Sequence, residues 1–159
     1  MLLRIFALLM LLPGALAAQA NTRYINPPTL VKPNGYTHVV VGPDGRTAYV
    51  AGQVAYDSTG QLIGGNDFQA QAERVFENLR RALAGAGGSL DDVVKTTTFV
   101  TDQKHVPALR EIRAKYLNRS RPPANTLVVV SGLARPDLLI EIEAVAMLGG
   151  LVRHTGPDR

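Results

Sequence analysis

The chain has 159 residues, of which 46% are hydrophobic and 19% charged, and its formal net charge is +4 at pH 7. These values fit one globular domain with its own core and exclude a disordered, collagen-like or coiled-coil protein. The chain has no cysteine, which excludes disulfides, thiolate metal sites and thiol nucleophiles.

Residues 1–20 have the layout of a secretory signal peptide. An early cation, Arg4, is followed by an apolar run, a break at Pro13 and then small residues. The apolar run is shorter than the roughly 20 residues that the alternative, a membrane anchor, requires. We therefore expect cleavage after Ala17 or after Ala20, no membrane contact afterwards, and a periplasmic or secreted protein.

Strands dominate the next part of the chain. Residues 21–35 contain three prolines, which interrupt the hydrogen bonding of helices and sheets, so we expect an extended lead-in. Strands at 39–41 and 47–50 are separated by a Gly-Pro-Asp-Gly turn and predict a β-hairpin. Residues 54–56 are predicted to form a third strand.

An amphipathic helix is predicted next. Apolar residues recur at spacings of three and four from Ala72 to Ala86, which is the period of a half-buried helix. Asn66 followed three residues later by Gln69 resembles a capping box at its start, and the glycines around position 87 are typical of its end.

The remaining elements complete an alternating pattern. Residues 93–100 predict a strand, apolar spacing from Val106 to Tyr116 predicts a second helix, and 126–130 and 138–147 predict the last two strands. The order β-β-β-α-β-α-β-β predicts an α+β domain in which two helices cover one face of a mixed sheet. We expect a flexible tail over 149–159.

General catalytic motifs are absent from the sequence. No phosphate-binding loop occurs, and the three histidines, His38, His105 and His154, lack the spacing of metal ligands, so we expect no metal. Basic residues concentrate along the second helix and beyond it, and we interpret them as a solvated helix face. Without a recognition motif they do not predict a nucleic-acid partner. These residues are Arg110, Arg113, Lys115, Arg119 and Arg121.

Several short strings stand in a fixed order along the domain. They are Gly35-Tyr36, Tyr49-Val50-Ala51-Gly52-Gln53, Gln71 with Asn78-Leu79, Val93 to Val100, Pro123-Ala124 and Ile140-Glu141-Ile142-Glu143-Ala144-Val145-Ala146. Together they make residues 34–147 similar to the RidA (YjgF) family of reactive intermediate deaminases. We therefore expect residues 36–148 to form a RidA-like domain.

The resemblance implies a chorismate-mutase-like fold, a homotrimer and small-molecule clefts between neighbouring subunits. It also implies hydrolysis of enamines and imines, such as 2-aminoacrylate, to a keto acid and ammonia without a cofactor. Carried over residue by residue, it makes Glu141 the catalytic residue that positions the attacking water. It places Tyr36, Ala51, Gly52 and Asn125 at the ligand.

Two of these positions depart from the family pattern. Asn125 stands where the family has an arginine that clamps the substrate carboxylate, and an amide has neither the charge nor the fork of a guanidinium. Ala51 stands where the archetype has a serine. Arg121 and Arg135 are the candidates for replacing the missing arginine. We expect little of the archetypal deaminase activity.

Some alternatives stay open at the level of sequence. Glu141 and Glu143 share one face of their strand, where carboxylates also occur because a face is solvated. Tyr36 fits the edge of the core as well as a ligand contact, and Gly52 allows close approach either of the backbone or of a ligand. The function is either hydrolysis of an enamine or imine without that carboxylate, or ligand binding or holding without catalysis.

Overall fold

The computed structural model describes residues 22–43 and 46–149. The elements in chain order are β1 (Arg23–Ile25), β2 (Val39–Val41), β3 (Thr47–Gln53), α1 (Phe68–Ala86), β4 (Val93–Val100), α2 (Val106–Tyr116), β5 (Ala124–Val129) and β6 (Ile140–Met147). The predicted signal peptide over 1–20 and residues 150–159 of the predicted tail lie outside the described residues. In the described ranges, no helix is both long and apolar enough to cross a membrane.

All six strands form one sheet in the order β1-β2-β3-β6-β4-β5. Neighbouring strands are antiparallel except β4 and β5, which are parallel and are connected through α2. Parallel strands need such a crossover, because a tight turn joins only antiparallel strands. The predicted α+β domain, with two helices on one face of a mixed sheet, is confirmed.

Two predictions about the strands are wrong. The lead-in over 21–35 contains β1, which pairs with β2; the prolines lie further along the chain and do not interrupt this pairing. β3 ends at Gln53, and the predicted strand over 54–56 makes only an isolated bridge between Tyr56 and Leu62. The predicted order of elements is therefore right, but its first strand is a different one.

Helix α1 has a different N-cap from the predicted one. The cap is Asp67 and not Asn66, because the Asp67 carboxylate accepts hydrogen bonds from the backbone N–H groups of Gln69 at 2.8 Å and Ala70 at 3.2 Å. At the other end, Gly87 has a φ of 86°, a left-handed conformation that glycine adopts without strain. The predicted glycine end of the helix is confirmed.

Asp67→Ala is expected to lower the free energy of unfolding by about 0.5–2 kcal/mol, because two N–H groups of the first turn lose their acceptor. Urea denaturation measures this difference. Asn66→Ala is the matched control, with an expected change within about 0.5 kcal/mol. Equal losses from the two substitutions would contradict the assignment of the cap.

A buried glutamine of α1 holds the segment that leads into β6. The Gln71 side chain donates through Nε2 to the carbonyls of Gly65 at 2.6 Å and Asp137 at 2.8 Å, and its Oε1 accepts from the Leu139 N–H at 2.9 Å. Gln71 has no exposed surface. In the protein interior, a polar atom left without a hydrogen bond lowers stability, so these three bonds stabilise the fold. The helix thereby fixes the start of the strand that carries Glu141.

Candidate functional site

The sheet face away from the helices carries both carboxylates of β6. Ile140 and Ile142 are buried in the core, so Glu141 and Glu143, which alternate with them, lie on the opposite face. This confirms that the two glutamates share one face. The neighbouring strands contribute mixed polar and apolar residues to the same face, including Tyr49, Lys95, Thr97 and Phe99.

A β-bulge in β3 lies beside these carboxylates. Between the paired residues Val50 and Gln53 the register with β6 shifts by one residue. Ala51 and Gly52 therefore lie together opposite Glu143 alone. A bulge bends its strand and re-aims the residues next to it, so this irregularity sets the position of two residues that the sequence resemblance placed at the ligand.

Gly52 leaves open the space that the Glu141 carboxylate occupies. A Cβ atom built on Gly52 would lie 1.8 Å from Oε1 and 2.7 Å from Cδ of Glu141. Both distances are far inside van der Waals contact, so no other residue type fits at this position without moving the carboxylate. The close approach at Gly52 is therefore that of the Glu141 side chain.

The Glu141 carboxylate is half-buried and has no hydrogen bond or ion pair with any residue that the structure describes. Burial raises the pKa of this carboxyl above its ordinary value, and the negative charge of Glu143 raises the pKa further. Removing a carboxylate from water without giving it a partner destabilises a protein. Such a group is typical of a functional site whose partner is a ligand or a water.

Tyr36 lies beside this carboxylate. Burial is the main cause that raises the pKa of the Tyr36 hydroxyl, and the charge of Glu141 is the second. The ring packs edge-on against His38, with 5.2 Å between the ring centroids. Tyr36 and Gly52 line one cavity of about 10 Å³, which is near the space of a single water. Four of the five predicted site residues, Ala51 included, thus lie in one region.

The fifth predicted residue, Asn125, lies on the other face of the sheet. It pairs with Thr96, which lies opposite Ala144 on the helix side. Its Oδ1 accepts hydrogen bonds from the hydroxyls of Thr96 at 2.9 Å and Thr98 at 3.5 Å, so its NH₂ group remains the donor for a ligand. The sheet separates Asn125 from Glu141 within one copy, and a small ligand that contacts both must lie between two copies.

The two arginines that the sequence suggested as replacements do not lie next to Asn125. Arg121 is exposed and belongs to the turn that the Asn118 side chain closes, where its backbone N–H donates to Oδ1. Arg135 forms an ion pair with Asp137 at 2.5 Å. Neither residue lines the cavity beside Asn125.

Two other arginines do line that cavity. Arg110 and Arg113 of α2 lie around a space of about 330 Å³ together with Asn125. The sequence contained a signal, because residues three apart share one face of a helix. From the sequence alone these arginines are interpreted as a solvated helix face, since the sequence does not show that this face of α2 borders β5.

Comparison with known proteins identifies the family. The model of the family described as Endoribonuclease L-PSP, the RidA or YjgF family, matches residues 29–148. This chain belongs to the RidA family. Among curated proteins, a RutC family protein of Pyrococcus abyssi is 41% identical to it over 103 residues, which make up 64% of this chain and 79% of that protein.

Solved structures confirm the RidA fold that the sequence resemblance implied. RidA from the Antarctic bacterium Psychrobacter sp. is 34% identical, with a TM-score of 0.72 over 79% of this chain and 99% of that one. E. coli TdcF, solved with bound serine, is 26% identical, with a TM-score of 0.69 over 79% of this chain and 98% of that one. The shared fold covers nearly the whole of both solved structures.

Proposed function

We propose that this RidA-family protein binds a small metabolite between two copies of the chain and hydrolyses it as an enamine or imine. The observation that supports this most is the Glu141 carboxylate, which is half-buried, fits against Gly52 and has no partner among the described residues. A carboxylate in that state is poised to hold a water or a ligand donor.

The proposed reaction uses only water and this carboxylate. Glu141 accepts a proton from water as the water oxygen attacks the imine carbon. The same carboxyl returns this proton to nitrogen, which gives a carbinolamine. The carboxylate then takes the hydroxyl proton of the carbinolamine and passes it to nitrogen as the C–N bond breaks and the C=O bond forms, so that a carbonyl compound and ammonia leave. The raised pKa of Glu141 brings the carboxyl closer to the working pH, which favours both proton transfers. The Tyr36 hydroxyl is held protonated next to it.

We propose that the protein is a homotrimer, because one copy does not bring Asn125 to the face that carries Glu141. β5, which carries Asn125, is an edge strand with all its residues exposed. The open sheet face also exposes apolar side chains, with Tyr49 56% and Met147 39% accessible, and such surface favours association. In a closed ring of three copies, every interface would have the same contact, between the β5 edge of one copy and the open sheet face of the next.

We favour a metabolite over RNA, although the family description names an endoribonuclease. Glu141 and Glu143 place two carboxylates on the face that carries the site, and these repel the phosphates of a nucleic acid. Binding without catalysis is the second candidate function. It is favoured by Asn125, whose amide offers a ligand a hydrogen bond without charge.

We also propose, on the sequence pattern of residues 1–20, that the protein is exported. Intact-mass analysis of the protein from its own host is then expected to show a chain that begins at Asn21 or at Ala18. A chain that retains Met1 outside the cytoplasm would contradict this.

Glu141→Gln is expected to reduce turnover by about 100-fold or more, because general acid–base catalysis contributes at least that factor. Ammonia release from imines that lack a carboxylate next to the reacting carbon, formed in place by an amine oxidase, measures turnover. Since burial disfavours the charged form, the variant is expected to keep or gain stability at neutral pH. Unchanged turnover in Glu141→Gln would exclude the proposed role, and ligand binding by the wild type without turnover would favour the second candidate.

Glu143→Gln is the matched control on the same face. It is expected to retain turnover, because Glu143 is more exposed and is not the residue that lies against Gly52. Removing its negative charge lowers the pKa of Glu141, and turnover requires the ionised form of Glu141. The fall of activity at acid pH should therefore move to lower pH in this variant.

A further inference from the structure

The cavity next to Asn125 is separate from the region around Glu141 in one copy. It lies between α2 and the β4–β5 pair, has a volume of about 330 Å³ and is large enough for a small molecule. Arg110 and Arg113 line it from α2, Asn125 from β5 and Thr98 from β4, and Leu109 and Leu127 provide apolar walls.

The polar lining of this cavity consists largely of donors. Neither Arg110 nor Arg113 forms an ion pair with a carboxylate in the described part of the chain. Arg113 makes one weak hydrogen bond, from Nη2 to the Pro123 carbonyl at 3.5 Å. The Asn125 NH₂ group adds a neutral donor. Two guanidinium groups without a carboxylate partner and an amide around one cavity are donors of the kind that bind anions in proteins.

Three other cations of the helices are paired with carboxylates, whereas Arg74 of α1 donates to the Tyr56 carbonyl. Lys115, on the same helix, is paired with Glu73 at 2.6 Å, and Arg80 and Arg81 of α1 are both paired with Glu77. The fold therefore neutralises these helix cations with carboxylates. Arg110 and Arg113 are without such a partner at the place where they border a cavity.

The positive charge does not lie at position 125 itself. The Arg113 guanidinium contacts the carbonyl of Pro123, two residues before Asn125. Two residues of extended chain span roughly 6–7 Å, which corresponds to several carbon–carbon bonds of a ligand. This backbone offset indicates that a molecule bound by both the Asn125 amide and the Arg113 guanidinium has its anionic group some carbons away from its neutral polar group.

We propose that Arg110 and Arg113 bind the carboxylate of a small organic acid in this cavity, while Asn125 donates a hydrogen bond to an uncharged oxygen elsewhere in the same molecule. Leu109 and Leu127 contact the methylene groups between them. The binding does not depend on the proposed hydrolysis. Only the substrate class rests on the proposed function. If the protein hydrolyses imines, its substrates are acids of this kind and not acids with a carboxylate next to the reacting carbon.

Isothermal titration of the full mature chain with three probes tests this. Levulinate has a ketone and a carboxylate separated by two methylene groups, pyruvate has them directly bonded, and 2-pentanone lacks the carboxylate. Levulinate is expected to bind more tightly than the other two. Arg113→Gln and Arg110→Gln should each weaken levulinate binding by about tenfold or more, since charge-assisted bonds are the strong ones. They should leave the weak binding of 2-pentanone unchanged.

Arg121→Gln is the matched control, because Arg121 is an exposed arginine of the same basic segment that does not line this cavity. It is expected to leave levulinate affinity unchanged. An equal loss in Arg121→Gln, or no loss in the double variant of Arg110 and Arg113 with its fold intact by circular dichroism, would overturn the site. So would tighter binding of inorganic phosphate, or displacement of levulinate by single-stranded RNA.

The titrations and the turnover measurements together distinguish the anion site from the proposed hydrolysis. Arginine-dependent levulinate binding without turnover of any imine supports the anion site and contradicts the hydrolysis. Turnover that depends on Glu141, with levulinate binding that is insensitive to Arg110 and Arg113, supports the hydrolysis and contradicts the anion site.

Discussion

Gly52→Ala is expected to reduce turnover by about 100-fold or more, as does loss of the general base itself. The added Cβ would lie 1.8 Å from Oε1 of Glu141, so the carboxylate must leave its position. The carboxylate is the end of a flexible side chain, and we expect it to move while the backbone of the bulge stays in place. Steady-state turnover and urea denaturation measure the two effects separately.

Gly132→Ala is the matched control for this substitution. A Cβ on Gly132 meets no atom within 4 Å, so turnover and stability are expected to remain near the wild-type values. If Gly52→Ala acts through Glu141, combining it with Glu141→Gln should lower turnover no further than either change alone. Full activity in Gly52→Ala, or additive losses in the double variant, would show that Gly52 does not act by placing this carboxylate.

Asn125→Arg is expected to raise the hydrolysis of 2-aminoacrylate and other short imino acids, which the wild type should hydrolyse poorly. A charged partner in a desolvated site contributes about 2–5 kcal/mol, which corresponds to one to three or more orders of magnitude in rate at about 1.4 kcal/mol per tenfold. Ammonia release at low substrate concentration measures kcat/KM. The gain should be specific for acids whose carboxylate adjoins the reacting carbon.

Asn125→Gln is the control, because it lengthens the side chain without adding charge and should bring no gain. One result would contradict the assignment of Asn125 as a weak anchor for the substrate carboxylate. If the wild type hydrolyses these acids as fast as Asn125→Arg, and Asn125→Ala abolishes the reaction, then the asparagine is an adequate anchor by itself.

Most of the fold could be predicted because its longer elements have clear periods. Helix α1 and strands β4 and β6 each run for eight or more residues. The apolar spacing of α1 and β6 is regular, and β4 consists mostly of the β-branched residues that favour strands. β1 has only three residues, which is too short for a period, and it exists because β2 offers it a partner. The strand predicted at 54–56 fails because Asp57 closes a turn, where Oδ1 accepts from the backbone N–H groups of Thr59 and Gln61.

The candidate site could be predicted only in part. Glu141, Tyr36 and Gly52 followed from short strings in the sequence. The fit of the carboxylate against Gly52 depends on the register between β3 and β6, strands that are far apart in the chain, and on a bulge with no distinct sequence pattern. The arginines of α2 were visible as charges, but the cavity beside them exists only once β5 has paired with β4.

Mixing of two variant subunits tests whether the cleft is built from two copies of the chain. Glu141→Gln and Asn125→Trp, whose indole would fill the cavity beside position 125, are each expected to be inactive trimers. Trimers refolded from an equal mixture should regain about one quarter of the wild-type turnover, because random assembly places an intact Glu141 and a neighbour's intact Asn125 at that share of the interfaces. Mixed trimers that form, as shown by native mass, and remain inactive would contradict a site built from two copies.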